Sequence, residues 1–344
     1  MYTKKEGTFL QNIKSEIRKD SGVNAILLIL FFFFELIIRF IALPVIADLF
    51  STENKKVIQT YVFYFLVYVL LIPSLIFING KLTNGRRTTT LKSCFCKPQM
   101  PASWVAKWII ITSGLCYLCA YISKFFEFAF EKLTGVELHP MIAYSDGSLS
   151  EAIINIISMV ILAPLLEELF FRGTLFRNVS EYGGWGLIII VGITFGLWHT
   201  NYEQTLYTAL MGVFSCFMYE KTRSVIPSFI LHIYLNSLGC LSSIFITNDY
   251  SQKILDGDMQ YIMSHPLPFL VQMSISLIYI ISIIAAITLL IIEICSHTDS
   301  FRLEQKNKEI SSSRKLIAYI SNPLMITAFI IMILIGIDNA FEII

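Results

Sequence analysis

ILAPLLEELFFRGTLF, residues 161–176, sets two adjacent glutamates and an arginine inside an apolar run. The apolar character extends over 152–178, and at 1.5 Å per residue that length crosses a hydrocarbon core of about 30 Å. An ionisable group at mid-bilayer costs at least ~2.5 kcal/mol on insertion scales, so a span that keeps three of them points to a polar interior with a purpose. Eight further apolar runs surround it, at 23–46, 57–79, 104–126, 185–199, 205–219, 225–246, 267–295 and 316–341. The 344 residues are 55% apolar and only 15% charged, with a mean hydropathy of +0.67. Soluble domains carry about 25% charged residues. Soluble-enzyme, fibrous and disordered classes are excluded, and continuous rather than alternating runs argue against a transmembrane barrel. The expected fold is all-α: a polytopic helical membrane protein of about 8–9 transmembrane helices around a polar intramembrane cavity.

The segments 1–22, 80–107 and 297–315 are basic, whereas 131–151 and 249–258 are acidic. Basic segments mark the cytoplasmic side, so the N-terminus is expected inside and the C-terminus outside. The first run is too long for a cleaved signal and is interrupted by Glu35 and Arg39, an i,i+4 pair read as structural. The net charge of +1 gives no argument for nucleic acid. Five of the seven cysteines lie in apolar runs and read as small core residues; Cys94 and Cys96 form a C-x-C in a basic loop, a weak metal signal.

Within residues 161–176, Glu167 and Glu168 point about 100° apart and cannot share one role. Glu168 and Arg172 are four apart in the order that favours a helical ion pair. Glu167 is left without a local partner, which suits a general base. The fifth run ends TFGLWHTN (194–201), with Phe195 and His199 on one face; the seventh reads SFILHIYLNS (228–237), with His232 and Asn236 on one face. Measured from the inner edge at 1.5 Å per residue, Glu167, His199, His232 and Asn236 fall at roughly 17, 21, 10 and 17 Å. The four are therefore expected to meet at one depth, from three helices.

Glu-Glu-x-x-x-Arg, Phe-x-x-x-His and His-x-x-x-Asn, in this order on separate spans, resemble the CAAX-protease and bacteriocin-processing (CPBP, or Abi) family of intramembrane proteases. EELFFRGTLF (167–176), FGLWH (195–199) and YEKTRSVIPSFILHIYLNS (219–237) carry the resemblance, which covers roughly 150–240; a Gly is common where Arg223 stands. The resemblance implies an endopeptidase in which Glu167 activates water. Glu168, Arg172 and Phe195 support it, and His199, His232 and Asn236 bind water or the oxyanion. The family is called metalloprotease, and a metal-free glutamate mechanism is also argued for it. Glu167, His199 and His232 are the candidate zinc ligands, and Asn236 is a better oxyanion donor than metal ligand.

The chain then divides into an N-terminal three-helix membrane region (1–149), a catalytic helical core (150–246) and a C-terminal two-helix membrane region (247–344). The expected partners are a membrane-associated peptide or protein substrate and the lipid bilayer. Ile, Phe, Lys and Asn usage fits an AT-rich bacterial genome and a multi-pass plasma-membrane protein with a cytoplasmic N-terminus. Two other readings use the same residues. One is a non-proteolytic scaffold of the same fold, in a regulatory or bacteriocin-immunity role. The other is a transporter with buried proton-relay acids, for which no inverted repeat is visible.

Overall fold

The computed structural model describes residues 2–49, 55–138, 149–296, 299–304, 306–307 and 309–341. Nine helices organise it: α1 (Leu10–Ile46), α2 (Ile58–Leu82), α3 (Ala102–Thr134), α4 (Glu151–Tyr182), α5 (Trp185–Trp198), α6 (Tyr202–Thr222), α7 (Ile226–Phe245), α8 (Pro266–Ser296) and α9 (Pro323–Phe341). No strand occurs among the described residues. Among the described residues, seven of the helices are long and apolar enough to cross a membrane. The other two are α5, apolar but only 14 residues long, and α6, which is 21 residues long and carries Glu203, Glu220 and Lys221. The expected count thus resolves into seven spans and two helices that pack on each other. The helix that contains α1 extends back to Tyr2, ahead of its apolar run; there Ile17, Asp20, Ser21 and Asn24 are buried, and Ser21 Oγ donates to the Tyr319 carbonyl in the helix Ser312–Ile320 at 2.6 Å.

Small residues bring α5 and α6 together. A Cβ on Gly192 would lie 2.4 Å from the Val213 backbone nitrogen, and one on Gly212 2.5 Å from the Gly192 carbonyl oxygen. Gly192→Val must therefore push the helices apart, an overpacking that costs about 1–3 kcal/mol or more. A clear fall in the melting temperature of the purified protein is the expected result; an unchanged melt would mean that the contact yields freely.

Three membrane helices widen into a π-helical stretch just before a proline: Ile38–Ala42 before Pro44, Phe65–Leu71 before Pro73, and Ile156–Leu162 before Pro164. Proline lacks the N–H for the i−4 bond and its ring crowds that carbonyl, so the preceding turn opens. A fourth widened stretch, Phe171–Phe176, has no proline; there Thr174 Oγ1 donates to the carbonyl of Leu169, five residues back, at 3.0 Å. Widened turns of this kind gather at functional sites. These turns carry Tyr68, Met159 and Arg172.

Polar groups sort to the two ends of the bundle. At one end Asn178 donates to Asn24 (2.7 Å) and Asn79 (2.8 Å), tying α4 to α1 and α2. Beside it Asp20 accepts from Tyr182 at 2.8 Å and pairs with Arg87, which also pairs with Glu181. Lys306 reaches Glu220 at 2.8 Å at the same end, and Lys315 donates to the Tyr182 carbonyl at 2.7 Å. All the basic connections described gather here. The opposite end holds the Lys124–Glu203 pair and the contact of Asn339 with Thr200. Residues 139–148, in an acidic segment expected outside the membrane, lie outside the described residues. The exposed face of α8 is apolar, with Leu277, Ile281, Ile284 and Ile291 each more than half accessible, as a lipid-facing surface requires.

Candidate active site

The second motif acid and the arginine pair directly. Glu168 and Arg172 are both fully buried, with Arg172 Nη1 donating to Glu168 Oε1 at 3.0 Å. The guanidinium lies 4.3 Å from the centre of the Phe195 ring, a cation–π contact that joins α4 to α5. Glu168 Oε1 also accepts from His232 Nδ1 at 3.1 Å. One carboxylate therefore fixes both the arginine of its own motif and the histidine of the third.

Glu167 faces the other way, and its surroundings are asymmetric. Oε1 accepts a 2.8 Å hydrogen bond from the phenol of Tyr68 on α2. Oε2 has no hydrogen-bond partner among the described residues; it stands 3.7 Å from His232 Nε2 and 4.0 Å from His199 Nε2. His199 Nδ1 lies 2.8 Å from the Phe195 carbonyl. A carbonyl only accepts, so the proton sits on Nδ1 and the Nε2 of a neutral ring presents its lone pair. The Phe195 ring meets both imidazoles edge to face, at 4.8 Å for His199 and 5.9 Å for His232. Glu167, His199 and His232 thus converge on one point from three helices.

The turn after His199 is held from the far end of the chain. Thr200 has φ +47°, the left-handed region that a β-branched residue seldom adopts. Asn339 on α9 donates to its carbonyl at 2.8 Å and reaches its hydroxyl at 3.2 Å. Immediately beyond lies an apolar cavity of about 510 Å³, lined by Leu197, Thr200 and Leu206 with Phe130, Met332 and Phe341.

Asn236 sits one turn past His232, and its amide donates to the Met159 carbonyl at 2.8 Å, in the turn widened by Pro164. Its second N–H is left for another partner. Among the described residues no group of three or more His, Cys, Asp and Glu could hold a metal ion. The expected zinc trio stands 3.7 and 4.0 Å from Glu167 Oε2 to the two imidazoles, wider than the edge of about 3.3–3.6 Å for a tetrahedron of 2.0–2.2 Å bonds, so these three would have to draw closer to hold zinc. Tyr68 holds the other carboxylate oxygen of Glu167, and Met159 takes one N–H of Asn236. Cys94 and Cys96 make no metal pair either. Cys96 donates to the Arg223 carbonyl at 3.0 Å, and burial pushes the Cys94 thiol up, away from the thiolate that a metal needs.

Sequence reasoning missed Tyr68, Asn339 and Met159. Only Pro73, five residues past Tyr68, hints that its helix opens there.

Residues 149–238 match the family described as Type II CAAX prenyl endopeptidase Rce1-like. Among curated proteins, the chain is 29% identical over 103 residues to the "Probable CAAX prenyl protease 2" of Schizosaccharomyces pombe, covering 23% of this chain and 38% of that protein. It is 22% identical over 150 residues to the "Putative membrane peptidase YdiL" of Bacillus subtilis, covering 41% of this chain and 62% of the relative. An "Uncharacterized 24.3 kDa protein" of Escherichia coli is 28% identical over 104 residues, 28% of this chain and 48% of that protein. The chain thus spans less than two thirds of each of these relatives. No solved structure matches.

Proposed function

We propose that this chain, whose residues 149–238 match the Type II CAAX prenyl endopeptidase Rce1-like family, is an intramembrane endopeptidase of the CPBP family using glutamate-activated water. The observation that carries the reading is the free Oε2 of Glu167, 3.7 and 4.0 Å from two imidazole nitrogens. Atoms at that separation are too far apart for a direct hydrogen bond, yet close enough for one water at about 2.8 Å from each to bridge Glu167 Oε2 to an imidazole nitrogen. The water loses its proton to Glu167 Oε2 as its oxygen attacks the scissile carbonyl carbon. His232, held through Nδ1 by Glu168 and with Nε2 turned toward Glu167, faces the tetrahedral oxyanion. The second amide proton of Asn236 adds to that stabilisation. On collapse the C–N bond breaks and the leaving amine takes the proton back from Glu167. His199 holds the water's orientation, and its Phe195 contacts set the ring. The apolar cavity beside Thr200 suits the hydrophobic part of a membrane-associated peptide or protein substrate.

The test compares membrane and secreted peptides from cells with and without the protein. Products that vanish on deletion, with accumulation of a longer membrane-associated precursor, are expected; identical peptide sets would overturn the reading.

The proposed orientation puts the end carrying Arg87, Arg177, Lys306 and Lys315 in the cytoplasm of a bacterial cell. Tags placed at residue 92 or 302 should then be protected from external reagents in intact cells, and tags at 256 or 135 should react. The opposite pattern would invert the topology.

A further inference from the structure

We propose that Tyr68, on α2 and outside the matched segment, is a positioning residue that holds the Glu167 carboxylate with Oε2 aimed at His199 and His232. Its catalytic consequence rests on the proteolytic reading above; its geometry does not. The phenol gives the only hydrogen bond to the Glu167 side chain found among the described residues, at 2.8 Å and to Oε1 alone. The terminal torsion of a glutamate is broad and roughly two-fold, so a carboxylate between two imidazoles has no intrinsic reason to present one oxygen. A donor fixed on one side removes that freedom, and the other oxygen is left for the water.

Tyr68 is itself aimed by its helix. It lies in the widened turn Phe65–Leu71, which precedes Pro73, and an unbroken α-helix would carry its side chain around to a different bearing. Tyr64, four residues back, stacks on it at 6.0 Å with the rings inclined by 25°, limiting how far the Tyr68 ring can swing. Val67 and Leu71, on either side in the same turn, are buried and anchor it. A proline-widened turn, a stacked tyrosine and a single directed hydrogen bond thus make one device for orienting the base. The N-terminal region therefore contributes to a site whose motifs all lie after residue 160.

The experiment uses the full chain reconstituted in lipid nanodiscs and the Tyr68→Phe variant, which removes one hydroxyl and keeps the ring and its stacking. Infrared difference spectra between wild type and Glu167→Gln assign the Glu167 carboxylate band. That band is expected to move in Tyr68→Phe, with no substrate present. With a fluorogenic peptide built on a product recovered in the deletion comparison, kcat is expected to fall about tenfold to a hundredfold while KM stays within about twofold, since a hydrogen bond to a charged group contributes about 1.5–3 kcal/mol. An unmoved band overturns the proposal, whatever the activity. A moved band with unchanged kcat overturns its catalytic part. Cleavage that survives in Glu167→Gln would instead sink the proteolytic reading and leave the band to decide the role of Tyr68 alone.

Discussion

Glu167→Gln is expected to lower peptide processing by two to four orders of magnitude, the usual contribution of a general base, while protein abundance stays near wild type. The geometry explains the separation. Gln has the length and shape of Glu, and its carbonyl oxygen still accepts from Tyr68, the partner at 2.8 Å. The ion pair of Glu168 with Arg172 and the bond from His232 to Glu168 do not involve Glu167, so the contacts that join α4, α5 and α7 persist. What disappears is the free carboxylate oxygen near the two imidazoles, and with it the acceptor for the water's proton. The same variant discriminates between enzyme and scaffold. A scaffold recognised through its surface would keep its effect on the cell, because Glu167 is only 4% exposed. Peptide products are measured by mass spectrometry and abundance by immunoblot. Intact processing in Glu167→Gln would remove Glu167 from the chemistry.

The charged part of the site was legible because charge in an apolar run is anomalous. Glu167, Glu168, Arg172, His199 and His232 each break or end an apolar run, and helical spacing alone pairs Glu168 with Arg172 and Phe195 with His199. The neutral supports leave no such mark. Tyr68 is one of 16 tyrosines in the chain and stands 99 residues from its partner. Asn339 lies near the end of the last helix, and its bond to Thr200 depends on how α9 folds back across α5. Asn236 was expected among the polar groups; its bond to a backbone carbonyl arises because Pro164 opens the turn holding Met159, and that consequence cannot be seen without coordinates. Arg223 shows the reverse case. The family commonly has Gly there, and its φ of +56° supplies the reason: the residue ends α6 in the left-handed conformation that glycine adopts without cost.

Arg172→Ala should behave oppositely to Glu167→Gln, with the protein itself lost. Arg172 and Glu168 have no exposed side-chain surface. Removing one partner of such a pair leaves the other charge buried and uncompensated, a cost of about 3–5 kcal/mol. Two further contacts fail with it: the guanidinium no longer lies 4.3 Å from the Phe195 ring, and Glu168 holds His232 without a counter-charge of its own motif. A small native stability of about 5–15 kcal/mol does not absorb that loss easily. Reduced abundance and a lowered melting temperature are therefore expected together with absent processing, and activity per surviving molecule is the less informative number. The double variant Glu168→Gln with Arg172→Met keeps similar volumes without either charge, and replacing a buried pair by neutral groups is often neutral or stabilising. It should recover much of the abundance without recovering processing, because an amide at position 168 still accepts from His232 Nδ1 but places no negative charge beside the imidazole. Equal abundance of wild type and Arg172→Ala would show that the pair does not hold the three motif helices together; recovered processing in the double variant would show that the negative charge of Glu168 is not needed beside the imidazole.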